Sequence, residues 1–507
     1  MTKIFNISKL RDKITKHKKR NKKIVLCHGA FDLFHPGHLA HLEQAKKNGD
    51  ILVVSITKDK HIKKGINSPF YKEEERIKFL SNISLVDYVC VTDSPSAIPT
   101  LRTLKPDFYC KGEEYKKSDE IGNLKEEKNF CKKNNIEFIF VGKVMFSSNN
   151  IISEKFFESY DKNLNKIIKK NIIDKKVDLD KSIRKLKNLK VLIIGEIILD
   201  KYTYVTTRGT SPKSSTLSST IDYSEMMPGG ALATYRFIKQ FTNNIKLLSA
   251  LNTSLISSNK KIFSKELKKD LKFFDVSEKL IKERIVEYDK ISNIKKILTV
   301  NHFNHINLNK KLELKLNSFL NKNLRKFDMI IVQDFGHGLI TEKLAKIIQK
   351  KSKFLSINVQ TNSLNYGFNL INKKFKRVDL LTLDKRELEL YSGYKNTLYE
   401  KYLKKLSTEL KSKFTYLTCG NEFSLGKNRN EIFKIRTIGT DVVDTMGAGD
   451  IFHAMSSLMS ASQKNVFLSL FLAQISGALA VKIPGNKDFP KINQIKRTFK
   501  LFVKSIK

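Results

Sequence analysis

From Lys23 to about Ile152, short runs rich in Val, Ile, Leu and Phe alternate with stretches whose apolar residues recur every three or four positions. The runs IVLCHGAF, ILVVSIT, DYVCVT, DFYCKG and EFIFVG are nearly continuous in apolar character, the pattern of strands buried on both faces of a parallel sheet. Between them, HLAHLEQAKKNG and KEEERIKFLSNI carry apolar residues at helical spacing. Strands alternating with helices predict a doubly wound α/β sheet with its ligand at the carboxyl ends of the strands. A second α/β series opens at KVLIIGEIILD, continues through DMIIVQD, FLSINV, DLLTLD and TYLTCG, and closes with a helical stretch after Gly447. No internal repeat relates the two series. Between them, Leu164, Ile167, Ile168, Ile172 and Ile173 recur among lysines. This predicts an amphipathic helix packed on a neighbouring domain, in preference to a flexible tether or a membrane-surface helix. The predicted organisation is an N-terminal domain at 1–152, a helical bridge at 153–189 and a C-terminal domain at 190–507.

Composition constrains this picture without redrawing it. At 507 residues the chain is too long for one ordinary core, and 40% hydrophobic residues can bury several. No apolar run approaches the ~18 residues of a membrane span, and MTKIFNISKLRDKITKHKKRNKK has no apolar signal core. Cys27, Cys90, Cys110, Cys131 and Cys419 are scattered, with no CxxC, as expected of reduced thiols in a cytoplasmic protein. The net charge of +44 invites a nucleic-acid reading. However, the lysines spread along the whole chain and outnumber the arginines, as drift toward an AT-rich composition produces. The field instead favours anionic small molecules such as nucleotides and sugar phosphates.

Two glycine-punctuated segments carry the candidate chemistry. In the first, GAFDLFHPGHLAHLEQAKKNGDILVVSIT, a strand enters a tight turn and His35-Pro36-Gly37-His38 opens a helix. Two imidazoles then lie beside the unpaired N–H groups of a helix N-terminus, a natural anion site. Donors aimed at a phosphorus centre are the main device for displacing pyrophosphate from a nucleotide. This segment resembles the HxGH signature of the cytidylyltransferase-like nucleotidyltransferases. Lys111-Gly112-Glu113-Glu114-Tyr115 resembles that family's KGxDY, Glu75-Arg76 lies in the helix after its substrate loop, and Ser147-Ser148 resembles its late Ser-Ser-Thr. The resemblance implies that His35 and His38 are catalytic. It also implies nucleotide or phosphate contacts from Phe31, Asp32, Lys63, Lys64, Arg76, Lys111, Gly112, Ser147 and Ser148. Glu114 in place of Asp and Asn149 in place of Thr leave the choice between ATP and CTP open.

In the second, Asp444-Thr445-Met446-Gly447-Ala448-Gly449-Asp450 precedes a helix. Its glycines let main-chain N–H groups curl around phosphate oxygens, and Asp450 at the helix start can accept a proton from an attacking hydroxyl. It resembles the DTxGAGD signature of the ribokinase (PfkB) carbohydrate kinases, whose fold adds a small β lid to an α/β domain. The resemblance implies Asp450 as base and phosphate contacts at Thr445, Gly447, Ala448 and Gly449. It places Glu196, Asp200, Gly229 and Gly230 at the sugar, and Glu387 in the environment of Mg2+ and phosphate. Glu196 in place of Asp, Asp384 in place of Asn and Ala233 in place of Asn depart from the pattern, which points to an unusual acceptor. Asp334-Phe335-Gly336-His337-Gly338 follows a predicted strand and should line the crevice, with His337 either a ligand contact or part of a structural turn.

Together the halves resemble the bifunctional kinase–adenylyltransferases of nucleotide-activated heptose synthesis. The order here is reversed, and the loop Thr210-Ser211-Pro212-Lys213 is altered. The reading is a bifunctional transferase acting on a sugar or sugar phosphate with ATP, and CTP as a candidate at the first site. Its partners are small molecules, with no nucleic acid and no membrane span, and homo-oligomerisation is left open. The alternative is an active nucleotidyltransferase joined to a sugar-sensing kinase-like domain that does not turn over.

Overall fold

The computed structural model describes residues 3–62, 69–113, 123–141, 162–211, 213–288, 294–303, 305–395, 398–463 and 465–506. The chain divides into two compact units, Met1–Tyr160 with Lys504–Lys507, and Asp161–Val503.

In the first unit, β1 (Ile24–Gly29), β2 (Ile51–Thr57), β3 (Tyr88–Thr92), β4 (Phe108–Gly112) and β5 (Glu137–Val141) form one parallel sheet ordered β3-β2-β1-β4-β5. These are the five predicted runs. Alternate residues of β1 feed two cores. Val25 and Cys27 pack with Leu42, Ala45 and Leu80 on one face, and Ile24 and Leu26 pack with Leu10, Ile14 and Leu101 on the other. The helix Ile7–Lys18, not anticipated from the sequence, supplies Leu10 and Ile14 to that second face and is capped by Asn6, whose side chain accepts from the Lys9 amide. Strand order reverses between β1 and β4, so the crevice of a doubly wound sheet opens at their carboxyl ends.

The second unit contains β6 (Val191–Gly195), β7 (Ile197–Thr210), β8 (Leu217–Gly230), β9 (Ile245–Leu251), β10 (Leu271–Asp275), β11 (Ile281–Tyr288), β12 (Ile294–Asn301), β13 (Met329–Asp334), β14 (Leu355–Val359), β15 (Leu380–Asp384), β16 (Phe414–Cys419), β17 (Phe423–Lys427) and β18 (Ile432–Arg436). Nine of them build a sheet ordered β10-β9-β6-β13-β14-β15-β16-β17-β18, parallel through β16 and antiparallel at β17 and β18. Here the order reverses between β6 and β13. The remaining four form a separate sheet, β12-β11-β7-β8, which is the predicted β lid. Its long hairpin is packed at the root, where Tyr202, Tyr204, Met227 and Val286 form a small core, and exposed toward its tip at Leu217, Ile221 and Tyr223.

The described part of the bridge belongs to this unit. The helix Lys162–Ile168 runs into a π-turn at Lys169–Ile173, followed by the helix Leu179–Leu186, which packs on the helix Ala448–Gln463. Leu164, Ile168 and Ile172 are buried as their spacing predicts. The π-turn inserts a residue that also turns Asn171 inward. All five cysteines are buried thiols. Among the described residues, no helix is long and apolar enough to cross a membrane.

Candidate active sites

In the first unit, the chain leaves β1 through Phe31 and Leu33, both with left-handed φ (47° and 46°), a conformation that non-glycine residues adopt only when held there. Two side chains hold it. The Asp32 carboxylate accepts from the amides of Phe70 (2.7 Å) and Tyr71 (3.0 Å). Arg76, 2% exposed, donates to the carbonyls of Ala30 (2.5 Å), Thr57 (3.0 Å) and Tyr71 (3.0 Å) and to Asp59 (2.6 Å).

Arg76 therefore ties the ends of β1 and β2 to the loop, which corrects the expectation of a direct phosphate contact. Its replacement strands several buried acceptors. Arg76→Met should lower the melting temperature of this unit by about 10 °C in calorimetry of the full chain. A shift of a degree or two would contradict the clamp.

The loop ends at His35, the N-cap of the helix Pro36–Lys46, whose Nδ1 accepts from the Gly37 amide at 3.1 Å. A ring nitrogen that accepts carries no proton, so the bond fixes the neutral tautomer with hydrogen on Nε2. His38 stacks on His35 with ring centroids 3.9 Å apart, and Phe31 and Phe34 each lie 5.4 Å from the His38 ring. One turn further, burial pushes His41 down to about 4, so it is neutral.

Across the switch point, Lys111 and Gly112 end β4. The Lys111 ammonium donates to Tyr109 (3.0 Å) and Glu127 (3.1 Å). Burial opposes ionisation of Glu127, but Lys111 and the Ala97 amide outweigh it and hold its pKa low. Glu127 was not singled out in the sequence, where it is one acid in a lysine-rich helix. The structure thus brings Phe31, Asp32, His35 and His38 to the end of β1 and sets Lys111 and Gly112 beside them on β4. Lys63, Lys64, Glu114, Tyr115, Ser147, Ser148 and Asn149 lie outside the described residues.

In the second unit, the reversal between β6 and β13 gathers the acidic groups. Asp450 lies in the first turn of the helix Ala448–Gln463, and its Oδ1 accepts from the side-chain amides of Gln360 (2.7 Å) and Gln333 (3.1 Å). Among the described residues Oδ2 has no hydrogen-bond partner, so it remains able to take a proton. Burial pushes the carboxyl up to about 7 against the pull of Gln360.

Thr445, Ala448 and Gly449 line a cavity of about 1250 Å3, whose walls include Phe452, Ala478 and Val481. Such a space, apolar with a few polar groups at one end, suits a nucleotide. Asp444 holds the motif loop in place. Its carboxylate accepts from Tyr202 (2.7 Å) and the amides of Gly485 (2.9 Å) and Met446 (3.1 Å), and pairs with Lys296 (2.9 Å). Gly447 has φ +76°, and a Cβ there would lie 2.0 Å from Asn486 Oδ1.

The expected sugar-facing acids divide. Asp200 pairs with Arg284 and accepts from Asn486 Nδ2 at 3.2 Å, under the lid. Gly229 packs against it so closely that a Cβ would meet the carboxylate at 2.3 Å. Gly230, at φ +56°, packs as closely on the Glu196 carbonyl. Glu196 itself is fully buried, and its carboxylate accepts from the amides of Phe335 (3.0 Å) and Leu339 (3.3 Å). It braces the loop after β13 rather than facing a sugar, a correction to the sequence reading. The extra methylene relative to Asp is what reaches that loop.

Glu387 has a similar task, accepting from the amides of Thr361 (3.1 Å) and Asp384 (2.9 Å), so both of its oxygens are engaged by main chain. Gln333, Gln360, Asn486 and Arg284 escaped notice in the sequence. Their only signal is a polar residue at the carboxyl end of, or on, a strand.

Comparison with known proteins follows this division. The cytidylyltransferase-like family matches residues 26–260, and the pfkB family of carbohydrate kinases matches residues 280–491. The bifunctional protein HldE of Helicobacter pylori (strain HPAG1) is 40% identical over 123 residues, covering 24% of this chain and 26% of that protein. HldE of Desulfatibacillum aliphaticivorans is 36% identical over 123 residues, covering 24% and 25%. These matches lie in the N-terminal part, and the chain spans about a quarter of the length of these curated relatives. Phosphofructokinase-2 of Escherichia coli superposes with TM-score 0.50 at 13% identity, covering 63% of this chain and 99% of that one, a likeness of fold. The chain carries a cytidylyltransferase-like domain followed by a pfkB-type carbohydrate-kinase domain.

Proposed function

We propose that the chain is a bifunctional transferase. Its first domain moves a nucleotidyl group from ATP or CTP onto a sugar or polyol phosphate and releases pyrophosphate. Its second phosphorylates a sugar or sugar phosphate with ATP. Nucleotide-activated sugar synthesis of the heptose type is the pathway class that HldE similarity supports.

At the first site, an acceptor phosphate oxygen attacks the α-phosphorus while charge grows on its non-bridging oxygens. The Nε2–H tautomer imposed on His35, stacked on His38 at a helix N-terminus, supplies donors where that charge appears. At the second, the acceptor hydroxyl attacks the γ-phosphorus, Asp450 takes its proton, and ADP leaves along the turn formed by Gly447 to Gly449. Mg2+ supplies charge neutralisation of the phosphates when bound. No group of three or more His, Cys, Asp or Glu side chains among the described residues is arranged as a metal cage, so the ion would come held by phosphates and water.

The carrying observation is Asp450, a buried carboxyl held near neutrality by two amides at the floor of a nucleotide-sized cavity. This supports turnover over mere sugar sensing. The sign of its pH dependence follows. Burial raises the pKa, the base works only when ionised, and kcat/KM for ATP turnover should therefore climb about tenfold from pH 6 to pH 8 and level above. A flat profile through pH 7 would remove Asp450 from that role. The defining experiment is a mass-spectrometric screen of sugars and sugar phosphates with each nucleotide. Absence of any nucleotidylated or phosphorylated product would refute the proposal.

A further inference from the structure

Beneath the β lid, polar groups on three separate elements have no partner. In the parallel pairing of β11 with β7, Lys282 stands opposite Asp200 and Arg284 opposite Tyr202, so these side chains share one face of the lid. In the antiparallel pairing of β11 with β12, Asn301 stands opposite Lys282. Asp200 is already neutralised by Arg284. Lys282 makes no ion pair or hydrogen bond among the described residues, although it is partly buried and burial depresses its pKa. A second positive charge is thus left without compensation, an arrangement that costs free energy until an anion arrives.

His337 faces the same region from the loop after β13. It is 1% exposed, neither ring nitrogen has a hydrogen-bond partner, and the Lys282 charge acts on it. Phe303 packs edge-on against its ring at 4.7 Å, which fixes its plane. Burial pushes it down to about 4, so it is a neutral ring with one N–H to donate. The Asn301 Oδ1 is also buried without a partner. The same strand β13 that leads to His337 carries Gln333, which holds Asp450, so these groups and the base sit at one end of the sheet.

We infer that the kinase-type domain takes an acceptor bearing an anionic substituent, a phosphate monoester or a carboxylate, held by Lys282 and His337 under the lid with its reacting hydroxyl toward Asp450. A neutral sugar needs matched donors and acceptors, whereas an unpaired ammonium beside an imidazole N–H offers only donors. Such a set recognises an anion. This rests on the kinase reading for the role of the bound molecule, but the binding itself can be measured without turnover.

The test uses the full chain with ribose, ribose 5-phosphate, mannose, mannose 6-phosphate and glucuronate as probes, followed by calorimetric binding and by ADP release. The anionic probes should bind more tightly than their neutral counterparts. Lys282→Met should shrink that preference by about 10- to 100-fold, and Lys282→Arg should restore most of it. A larger preference for the sugar phosphates assigns a phosphate monoester, and one for glucuronate assigns a carboxylate. Neutral sugars bound as well as their anionic forms, or anion binding that survives Lys282→Met, would overturn the inference. Neutral sugars turned over in that circumstance would leave the kinase reading intact. Conversely, Lys282-dependent anion binding without ADP release from any acceptor would uphold the anion site and count against the kinase reading.

Discussion

Asp450→Asn should lower ATP turnover by about 10^3-fold while leaving the melting temperature unchanged or slightly raised. The side chain is isosteric, and an Asn oxygen can still accept from Gln333 and Gln360, so the local structure has no reason to rearrange. What disappears is the group able to take a proton from the acceptor hydroxyl, a contribution of about 10^2- to 10^4-fold in general-base catalysis. The wild-type carboxyl is buried and its ionised form is disfavoured, so its removal also relieves a desolvation cost. Loss of turnover with undiminished stability would separate catalysis from folding. ADP release within tenfold of wild type would show that Asp450 is not the base. Pyrophosphate release should be unaffected, because the two candidate sites lie in separate compact units.

The converse is expected of His38→Ala, which should reduce pyrophosphate release by about 10^2- to 10^3-fold and spare sugar-dependent ADP release. His38 is stacked on His35 and flanked by Phe31 and Phe34, so the substitution removes both a donor and a ring from an aromatic cluster. His38→Asn separates these effects, since it restores an N–H without the ring. Recovery of part of the rate by Asn would identify the donor as the important element, and equal loss in both variants would identify packing. If His38→Ala and Asp450→Asn each abolished both activities, the picture of two independent sites would fail.

Much of this architecture was legible along the chain. The five apolar runs of the first unit became the five strands of its sheet, because a strand covered on both faces has no polar alternation to conceal it. HPGH and DTMGAGD were legible for a related reason. Each encodes its geometry within a few residues, as a helix N-terminus reached through glycine or proline, and the structure places both at carboxyl strand ends where the order reverses. The hairpin β7–β8 was less legible, since its outer half is exposed and polar and lacks a buried face to impose a strict pattern.

The division of labour among the polar residues was decided by tertiary structure. Arg76 and Glu196 lie near residues of expected function and were read as ligand contacts, but each is consumed by main-chain groups that the fold delivers from elsewhere. The base Asp450 meets Gln333 across 117 positions, Asp444 meets Tyr202 across 242, and Asp200 meets Asn486 across 286. Sequence spacing determines periodicity, turns and helix starts, because those depend on neighbours within one or two turns of chain. Which buried charge finds a partner, and which one, like Lys282, is left to a ligand, depends on strand order. Strand order is a property of the closed sheet rather than of any segment within it.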